Sequence, residues 1–303
     1  MHLITAQEVA GLNPAEVTFF LLIQFTLKIK SCFILIFVLT FLTLCSKKNI
    51  EIEITRLSKK VNETSGLELI NGNFITLNDS GDDPALYTFD KEGENLSKLL
   101  IKGAQNRDWE SLASDKEYIY IGDIGNNKGN RKDLKIYLID FEFKLVDSIN
   151  FNYNNQSKFK KKKKNKFDAE ALVSIDDSLM IFSKNRKNLT TEVYAIPKTP
   201  GSYSVEPKHS FDVNALITGG DYNSKLDLLA LVGYSYSIKK QYLFLFKNFS
   251  FKKTTKDSIF KKYDIPVTNA QIEAIKIINE KNYWLTSENE GGGYPKLIKM
   301  RLK

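Results

Sequence analysis

The chain contains few of the residues that usually carry redox, zinc or nucleophilic chemistry. Its only two cysteines, Cys32 and Cys45, both lie in an apolar N-terminal stretch, and its only histidines are His2 and His209. The sequence after Cys45 therefore excludes a disulfide framework, a cysteine nucleophile and a cysteine-based zinc site. A Ser-His-Asp triad or a histidine-rich metal centre is disfavoured, because His209 would have to act alone.

Helix signals are also scarce. Beyond Cys45 the sequence consists of short alternating apolar runs separated by Asn, Asp, Gly and Lys-Asn turns, and no segment has a convincing amphipathic helical period. Aromatic residues are abundant, with 20 Phe and 14 Tyr, and they favour half-buried strands. The composition predicts an all-β fold.

The positive charge is concentrated in one segment. The net charge is +8, and seven lysines lie within residues 158–166, so the rest of the chain carries a net charge of about +1. No basic face, and hence no nucleic-acid partner, is expected. The segment is predicted to be a solvated loop, or alternatively a contact for anionic lipid or polysaccharide.

A short phrase recurs along the chain, and each copy opens an apolar run. It reads Asp108-Trp109-Glu110-Ser111-Leu112, then Asp168-Ala169-Glu170-Ala171-Leu172, then Gln271-Ile272-Glu273-Ala274-Ile275, with a degenerate copy Thr64-Ser65-Gly66-Leu67-Glu68. Three or four strand-like segments follow each copy, which is typical of radial repeats. The pattern predicts a β-propeller with five blades, or six if the long fourth repeat conceals a degenerate unit.

The predicted blades cover five consecutive segments. These are residues 66–102, 108–153, 168–212, 213–265 and 272–302. The last segment is one strand short, and a lone strand over residues 50–57 precedes the first. We expect the lone strand to complete the last blade, because ring closure removes an exposed edge.

The N-terminal residues are typical of an export signal. Residues 31–44 form an almost unbroken apolar run that follows Lys28 and Lys30. Residues 27–45 resemble a bacterial lipoprotein signal with Cys45 as the lipidated residue, and residues 46–303 are expected to form one propeller domain. Leu44 replaces the usual small residue before the cysteine, so an uncleaved signal anchor is the alternative. Residues 1–26 lack Lys and Arg and are interpreted as an extension upstream of the true start.

The repeated glutamate is the strongest functional candidate. The innermost strand of a propeller blade lines the central channel, so Glu110, Glu170 and Glu273 should converge into an acidic ring, joined by Asp108 and Asp168. Carboxylates in one confined place repel each other unless a cation lies among them, and Ca²⁺ prefers such oxygen ligands. The alternative is that each glutamate caps backbone amides of the adjacent blade.

Two loops are predicted to lie on the same rim as the acidic ring. Residues 78–84 contain Asp79, Asp82 and Asp83, and residues 122–127 contain Asp123, Asn126 and Asn127. Turn formation explains part of this composition. It does not explain why these acidic residues gather beside the phrases together with Arg107 and Arg131. Glu288 in the last blade either completes the rim or belongs to a polar hairpin turn.

These motifs resemble those of phytase-like and SdiA-regulated β-propeller proteins of bacteria. The resemblance rests on Asn78-Asp79-Ser80-Gly81, Asp108-Trp109-Glu110, residues 122–127 and Asp168-Ala169-Glu170-Ala171-Leu172. It implies a Ca²⁺ cofactor held by Asp79, Asp108, Glu110, Asp123, Asp168 and Glu170. It also implies anion contacts by Arg107, Arg131, Lys184 and Arg186.

Three functional hypotheses follow from the sequence. The leading one is a lipid-anchored, exported propeller of the bacterial cell envelope that binds a small-molecule, glycan or protein ligand at a Ca²⁺-organised mouth. The second is a Ca²⁺-dependent phosphoesterase, in which the metal polarises a phosphoryl oxygen and activates water. The third is a ring that presents its loops to a protein partner without a metal.

Overall fold

The computed structural model describes residues 18, 49–237, 240–249, 260–289 and 293–303. The predicted signal segment, Cys45 and almost all of residues 1–26 lie outside the described residues. None of the described residues belongs to a helix with the length and hydrophobicity needed to span a bilayer. Residues Ile50–Lys303 form one compact unit.

This unit is built from strands, as the composition predicts. A 3-10 turn at Lys59–Val61 separates the first two strands. In chain order the strands are β1 Ile50–Arg56, β2 Thr64–Ile70, β3 Asn73–Asn78, β4 Ala85–Phe89, β5 Ser97–Leu100, β6 Trp109–Ser114, β7 Ile119–Asp123, β8 Leu134–Ile139, β9 Leu145–Tyr153, β10 Ala169–Ile175, β11 Ser178–Ser183, β12 Thr191–Pro197, β13 Gly201–Val205, β14 His209–Phe211, β15 Leu216–Asn223, β16 Leu228–Tyr234, β17 Gln241–Lys247, β18 Phe260–Ile265, β19 Ala270–Ile277, β20 Asn282–Asn289 and β21 Lys296–Leu302.

The strands form five sheets, and the innermost strands of these sheets make a closed circle. The first four blades contain β2 to β5, β6 to β9 with β13, β10 to β12 with β14, and β15 to β18. The fifth contains β19 to β21 with β1. The innermost strands contact one another in the order β2, β6, β10, β15, β19 and back to β2. The fold is a five-bladed β-propeller, which confirms the predicted number of blades.

The first strand closes the ring as the sequence predicts. Strand β1 pairs antiparallel with β21, and Ile50 lies opposite Leu302. Strand β13 was not predicted as a separate element. It leaves the third blade and pairs in parallel with β9, placing Gly201 opposite Ile149. This pairing covers the outer edge of the second blade, which would otherwise expose unpaired backbone groups.

The hydrophobic core consists of five apolar layers, one between each pair of adjacent blades. Between the fourth and fifth blades, for example, Val232 packs with Ile275 and Leu285. Strand β16 is buried along its whole length, which explains its continuous apolar sequence. Every described strand and the closing contact lie within Ile50–Lys303, so this part of the chain contains all five of these apolar layers.

Candidate metal centre at the channel mouth

Every innermost strand contains a β-bulge at the same place in its blade. The register shifts once in each of the five pairings between the first and second strands. The extra residues are Gly66, Glu110, Glu170, Thr218 and Glu273. The repeated glutamate therefore occupies the bulge in three blades, and a bulge is a device that redirects a side chain.

The bulge also explains why two blades lack the glutamate in the sequence pattern. In the first blade the bulge residue is Gly66, and Glu68 lies two positions further along β2, where it pairs with Lys276 at 2.7 Å. In the fourth blade the bulge residue is Thr218, whose hydroxyl donates to the carbonyl of Ile272 at 2.6 Å. Neither copy contributes a carboxylate at the bulge.

The three bulge glutamates converge, and a lysine lies among them. Lys184 interacts electrostatically with Glu110, Glu170 and Glu273, and it forms an ion pair with Glu170. Its ammonium group also lies 5.1 Å from the ring centre of Tyr234. Burial alone would lower the pKa of Lys184, but the carboxylates of Glu170 and Glu273 hold it well above its ordinary value. We call Glu110, Glu170 and Glu273 the glutamate ring.

The glutamate ring does not cap backbone amides of neighbouring blades. Among the described residues, no backbone amide donates to these carboxylates, and Oε1 of Glu110 and Oε2 of Glu273 are buried without a hydrogen-bond partner. Side-chain hydroxyls join the blades instead. Ser65 donates to the carbonyl of Glu110 at 2.5 Å, and Ser111 accepts the amide of Leu172 at 3.1 Å. The capping alternative is thus wrong for the described residues.

Further carboxylates lie next to the glutamate ring, at the end of the channel where the innermost strands begin. We call this end the mouth. Asp79, Asp108 and Glu110 each place a carboxylate oxygen within 4.8 Å of the other two. Glu63, Asp79 and Glu288 do the same, so Asp79 belongs to both groups. We call these five residues the mouth cluster. Their oxygens are hard ligands of the kind that Ca²⁺ binds.

The mouth cluster lacks enough positive charge to balance it. Burial, followed by the charge of Asp79, raises the pKa of Asp108 to about 7. Burial, followed by the charges of Glu63 and Asp79, raises the pKa of Glu288 to about 8. Burial, followed by the charges of Glu170 and Asp79, raises the pKa of Glu110 well above its ordinary value. A bound cation would reverse these effects by favouring the ionised carboxylates.

A glycine makes room for this arrangement. A Cβ atom on Gly125 would overlap Oε1 of Glu110 and the carboxylate of Asp108. The loop after β7 can therefore approach both carboxylates only because residue 125 has no side chain. The unpartnered oxygen of Glu110 and the carboxylate of Asp108 both face this loop.

Three of the four remaining predicted ligands lie in ion pairs beside the mouth cluster. Asp123 pairs with Arg131 at 2.9 Å, and Asp168 pairs with Arg186 while accepting the amide of Asn126 at 2.7 Å. Together with the pair of Glu170 and Lys184, these contacts give Asp123, Asp168 and Glu170 a counter-charge that the mouth cluster lacks. Glu273 accepts the side-chain amide of Gln271.

The four predicted anion contacts already have carboxylate partners. Arg131, Lys184 and Arg186 pair with the acidic residues just described, and Arg107 pairs with Asp133 on the surface. Arg131 also donates to the carbonyl of Gly125 at 2.9 Å, which fixes the loop behind Asp108. These cations thus hold the rim in place.

The residues of the two loops that were predicted to lie on the rim and that we considered as ligand contacts, Asp82, Asp83, Asn126 and Asn127, mostly stabilise the rim. Asp82 accepts the amide of Asn78 at 2.7 Å and the hydroxyl of Tyr87 at 2.6 Å, and Asp83 pairs with Lys98 at 2.9 Å. Asn126 is buried and accepts the backbone amide of Arg131, while the side-chain oxygen of Asn127 accepts a bond from Arg186.

Sequence reasoning missed Glu63 and the role of Lys184. Glu63 directly precedes the degenerate phrase, so its position beside a repeat was the available signal. Lys184 follows β11 directly, as Asp79 follows β3, and its sequence neighbours do not indicate that it neutralises the glutamate ring.

Comparisons with known proteins agree with the fold. No protein-family model and no curated protein sequence matches the chain. An exo-β-1,3-galactanase from Phanerochaete chrysosporium aligns over 82% of this chain and 64% of its own, with a TM-score of 0.50 and 9% identity. A Bacteroides fragilis protein that is described as a putative exported protein aligns over 85% of this chain and 96% of its own, with a TM-score of 0.43 and 11% identity. At these identities the likeness concerns the fold alone.

Proposed function

We propose that this protein is an exported β-propeller that binds a divalent cation, Ca²⁺, in the mouth cluster and uses the loaded mouth to bind a ligand. One observation carries the proposal: the buried carboxylate of Glu110 has an unpartnered oxygen and lies within 4.8 Å of the carboxylates of Asp79 and Asp108. Burying such a charge without a partner is costly, and a cation removes that cost.

The charge distribution supports Ca²⁺ as the cation. The mouth cluster offers only carboxylates, and the neighbouring cations Arg131, Lys184 and Arg186 each pair with an acidic residue outside the cluster. Three carboxylates can supply up to about six oxygens, which suits the flexible six- to eight-fold coordination of Ca²⁺ better than the strict octahedron of Mg²⁺. A loaded site would then present a positive centre to carboxylate, phosphate or hydroxyl groups of a ligand.

Titration calorimetry with Ca²⁺ tests the proposal. The protein would be a chain that begins at Ser46, which keeps the complete ring, after removal of metals with a chelator. We expect binding heat and a raised melting temperature, and Glu110→Gln should lower the affinity about tenfold or more, since one charged ligand is lost. The matched control is Glu142→Gln, in an exposed hairpin at the other end of the channel. Absence of heat and of a melting shift would refute the proposal.

Membrane anchoring through Cys45 is a separate part of the proposal. It rests on the apolar run at residues 31–44 and on the cysteine that follows it. Mass spectrometry of the protein purified from bacterial membranes should find a lipid-modified Cys45 as the first residue. A Cys45→Ala variant should lose the lipid, and an unmodified internal Cys45 in the mature wild-type protein would support the signal-anchor alternative.

Phosphoester hydrolysis is the weaker proposal for the same site. It needs cations that hold the phosphoryl group, but Arg107, Arg131, Lys184 and Arg186 each have a carboxylate partner. We therefore expect no release of phosphate from phytate or from simple phosphomonoesters in the presence of Ca²⁺. Turnover that a chelator and Glu110→Gln both abolish would reverse this order.

A further inference from the structure

The lysine-rich segment at residues 158–166 is fastened to the rim of the mouth. It belongs to the connection between β9 and β10, and its backbone amide at Lys162 donates to the carbonyl of Lys128 at 2.7 Å. Within the segment, Asn165 is buried. Its side chain donates to the carbonyls of Asn127 at 3.0 Å and Lys162 at 3.1 Å. The segment thus has a defined place beside the loop that carries Gly125.

A further contact connects this segment with the site. The carbonyl of Asn165 accepts the backbone amide of Arg186 at 3.1 Å, and the side chain of Arg186 pairs with Asp168 in the channel wall. Lys132 lies over the ring of Phe159 at 4.8 Å and adds a further positive charge to the same surface. The lysines and the mouth cluster therefore share one face of the ring.

The positive charge of this segment is not neutralised by the protein. Of its seven lysines only Lys166 forms an ion pair, with Glu192 at 3.6 Å, in the part of the chain that the structure describes. The other six are all exposed, and residues 158–166 contain no acidic residue. Six uncompensated positive charges close together create a positive electrostatic potential. Such a potential attracts an anionic partner.

We infer that this surface, formed by Lys158, Lys160–Lys164, Lys128 and Lys132, binds the anionic headgroups of a lipid bilayer and turns the mouth of the channel toward the membrane. Two features favour a bilayer. All the basic residues in the segment are lysines, which act as point charges, whereas a site for one defined phosphate typically uses the planar fork of arginine. The lysines lie on an open rim, where many headgroups can be reached at once.

Co-sedimentation with vesicles tests the inference. A chain that begins at Ser46 would be mixed with vesicles that contain about one third phosphatidylglycerol in phosphatidylcholine, and with pure phosphatidylcholine vesicles. We expect binding to the anionic vesicles only, and release when the salt concentration is raised to about 0.5 M, because the Debye length then falls to a few ångströms.

A matched pair of variants locates the surface. The first variant changes Lys160, Lys161, Lys163 and Lys164 to serine, and it should partition onto anionic vesicles at least about tenfold more weakly. The control changes four exposed lysines of hairpins at the opposite end of the channel, Lys91, Lys116, Lys225 and Lys281, to serine. It has the same net charge and should bind like the wild-type protein. Arginine at the four rim positions should also preserve binding.

Three results would overturn the inference. They are equal binding to neutral and anionic vesicles, equal losses in the rim variant and its control, or retention by an acidic polysaccharide without any vesicle binding. Melting temperatures near the wild-type value would establish that each variant is folded. The test contains no Ca²⁺, so its failure would leave the proposed cation site untouched.

Discussion

Lys184 and Glu170 form an ion pair in which the two side chains are only 4% and 3% exposed. The pair lies where the glutamate ring surrounds Lys184, so one ammonium group faces three carboxylates. A buried pair of this kind adds little stability compared with an apolar pair, but the loss of one partner leaves a buried charge without compensation. The buried carboxylates at the centre of the channel therefore depend on Lys184 for their counter-charge.

Replacing Lys184 should destabilise the protein more than replacing any exposed lysine. We expect Lys184→Met to lower the free energy of unfolding by about 3–5 kcal/mol, as measured by denaturant titration, because Glu170 loses its counter-charge. Lys247→Met is the control, since it breaks an exposed pair with Glu280 and should cost no more than about 1 kcal/mol. Adding Glu170→Leu to Lys184→Met should restore part of the loss, and equal effects of the two lysine variants would contradict this account.

The stability of the cation-free protein should fall as the pH rises. Burial raises the pKa of Asp108 from 3.8 to about 7 and that of Glu288 from 4.5 to about 8, so between the unfolded and folded values the folded state binds more protons than the unfolded state. The stabilisation is fully present below the unfolded pKa values of 3.8 and 4.5, falls as the pH rises from there, and is lost once the pH exceeds the folded values of about 7 and about 8. Denaturant titrations in chelator across this range measure the effect.

Ca²⁺ should reduce this pH dependence, because it stabilises the ionised carboxylates at high pH. Asp108→Asn combined with Glu288→Gln should also flatten the profile, since neither amide titrates. A profile that is flat in the cation-free wild-type protein would be inconsistent with an uncompensated mouth cluster.

Gly125 should be required for cation binding. Gly125→Ala places a Cβ atom against the carboxylates of Glu110 and Asp108, so we expect Ca²⁺ affinity to fall about 10- to 100-fold in calorimetry, as for other changes just behind a metal site. Gly122→Ala is the matched control. The atoms nearest to its Cβ would belong to the side chain of Ile124, at 3.1 Å and beyond, and not to a carboxylate, so the affinity should stay near the wild-type value.

Gly66 should be needed for the packing of the first blade against the second. Its φ of +70° is unfavourable for other residues, and a Cβ atom would lie 2.5 Å from the backbone nitrogen of Leu112. Gly72 also has a positive φ, +85°, but open space around it. Denaturant titration should therefore show a loss of about 1–2 kcal/mol for Gly72→Ala. Gly66→Ala should lose about 1–3 kcal/mol more, from overpacking.

The architecture could be predicted from the sequence because a short sequence phrase repeats once in most blades. The phrase around Glu110, Glu170 and Glu273 marks the start of each innermost strand, and turn residues mark the strand ends, so five blades and the closing strand could be predicted. Strand β13 could not, because residues 201–205 carry no signal for the blade with which they pair. Its partner β9 is determined by which sheet edge lies within reach.

The chemistry of the mouth was only partly readable. The sequence placed Asp79, Asp108 and Glu110 at one mouth, since they begin or end neighbouring strands. It could not separate them from Asp123 and Asp168, which have the same residue type and similar positions. The difference arises from Arg131 and Arg186, whose side chains pair with these two aspartates, and the sequence does not indicate which of the neighbouring carboxylates each arginine selects.

Ring closure has a consequence for how the gene could be rearranged. Ile50 lies opposite Leu302 in the sheet that joins the two ends of the propeller. Because these two ends are neighbours, the order of blades around the axis does not depend on the blade in which the chain begins. A short linker between these ends, with the chain opened at an exposed hairpin of another blade, should give a circularly permuted protein with the same ring. The permuted proteins would show which blade must be synthesised first for the circle to assemble.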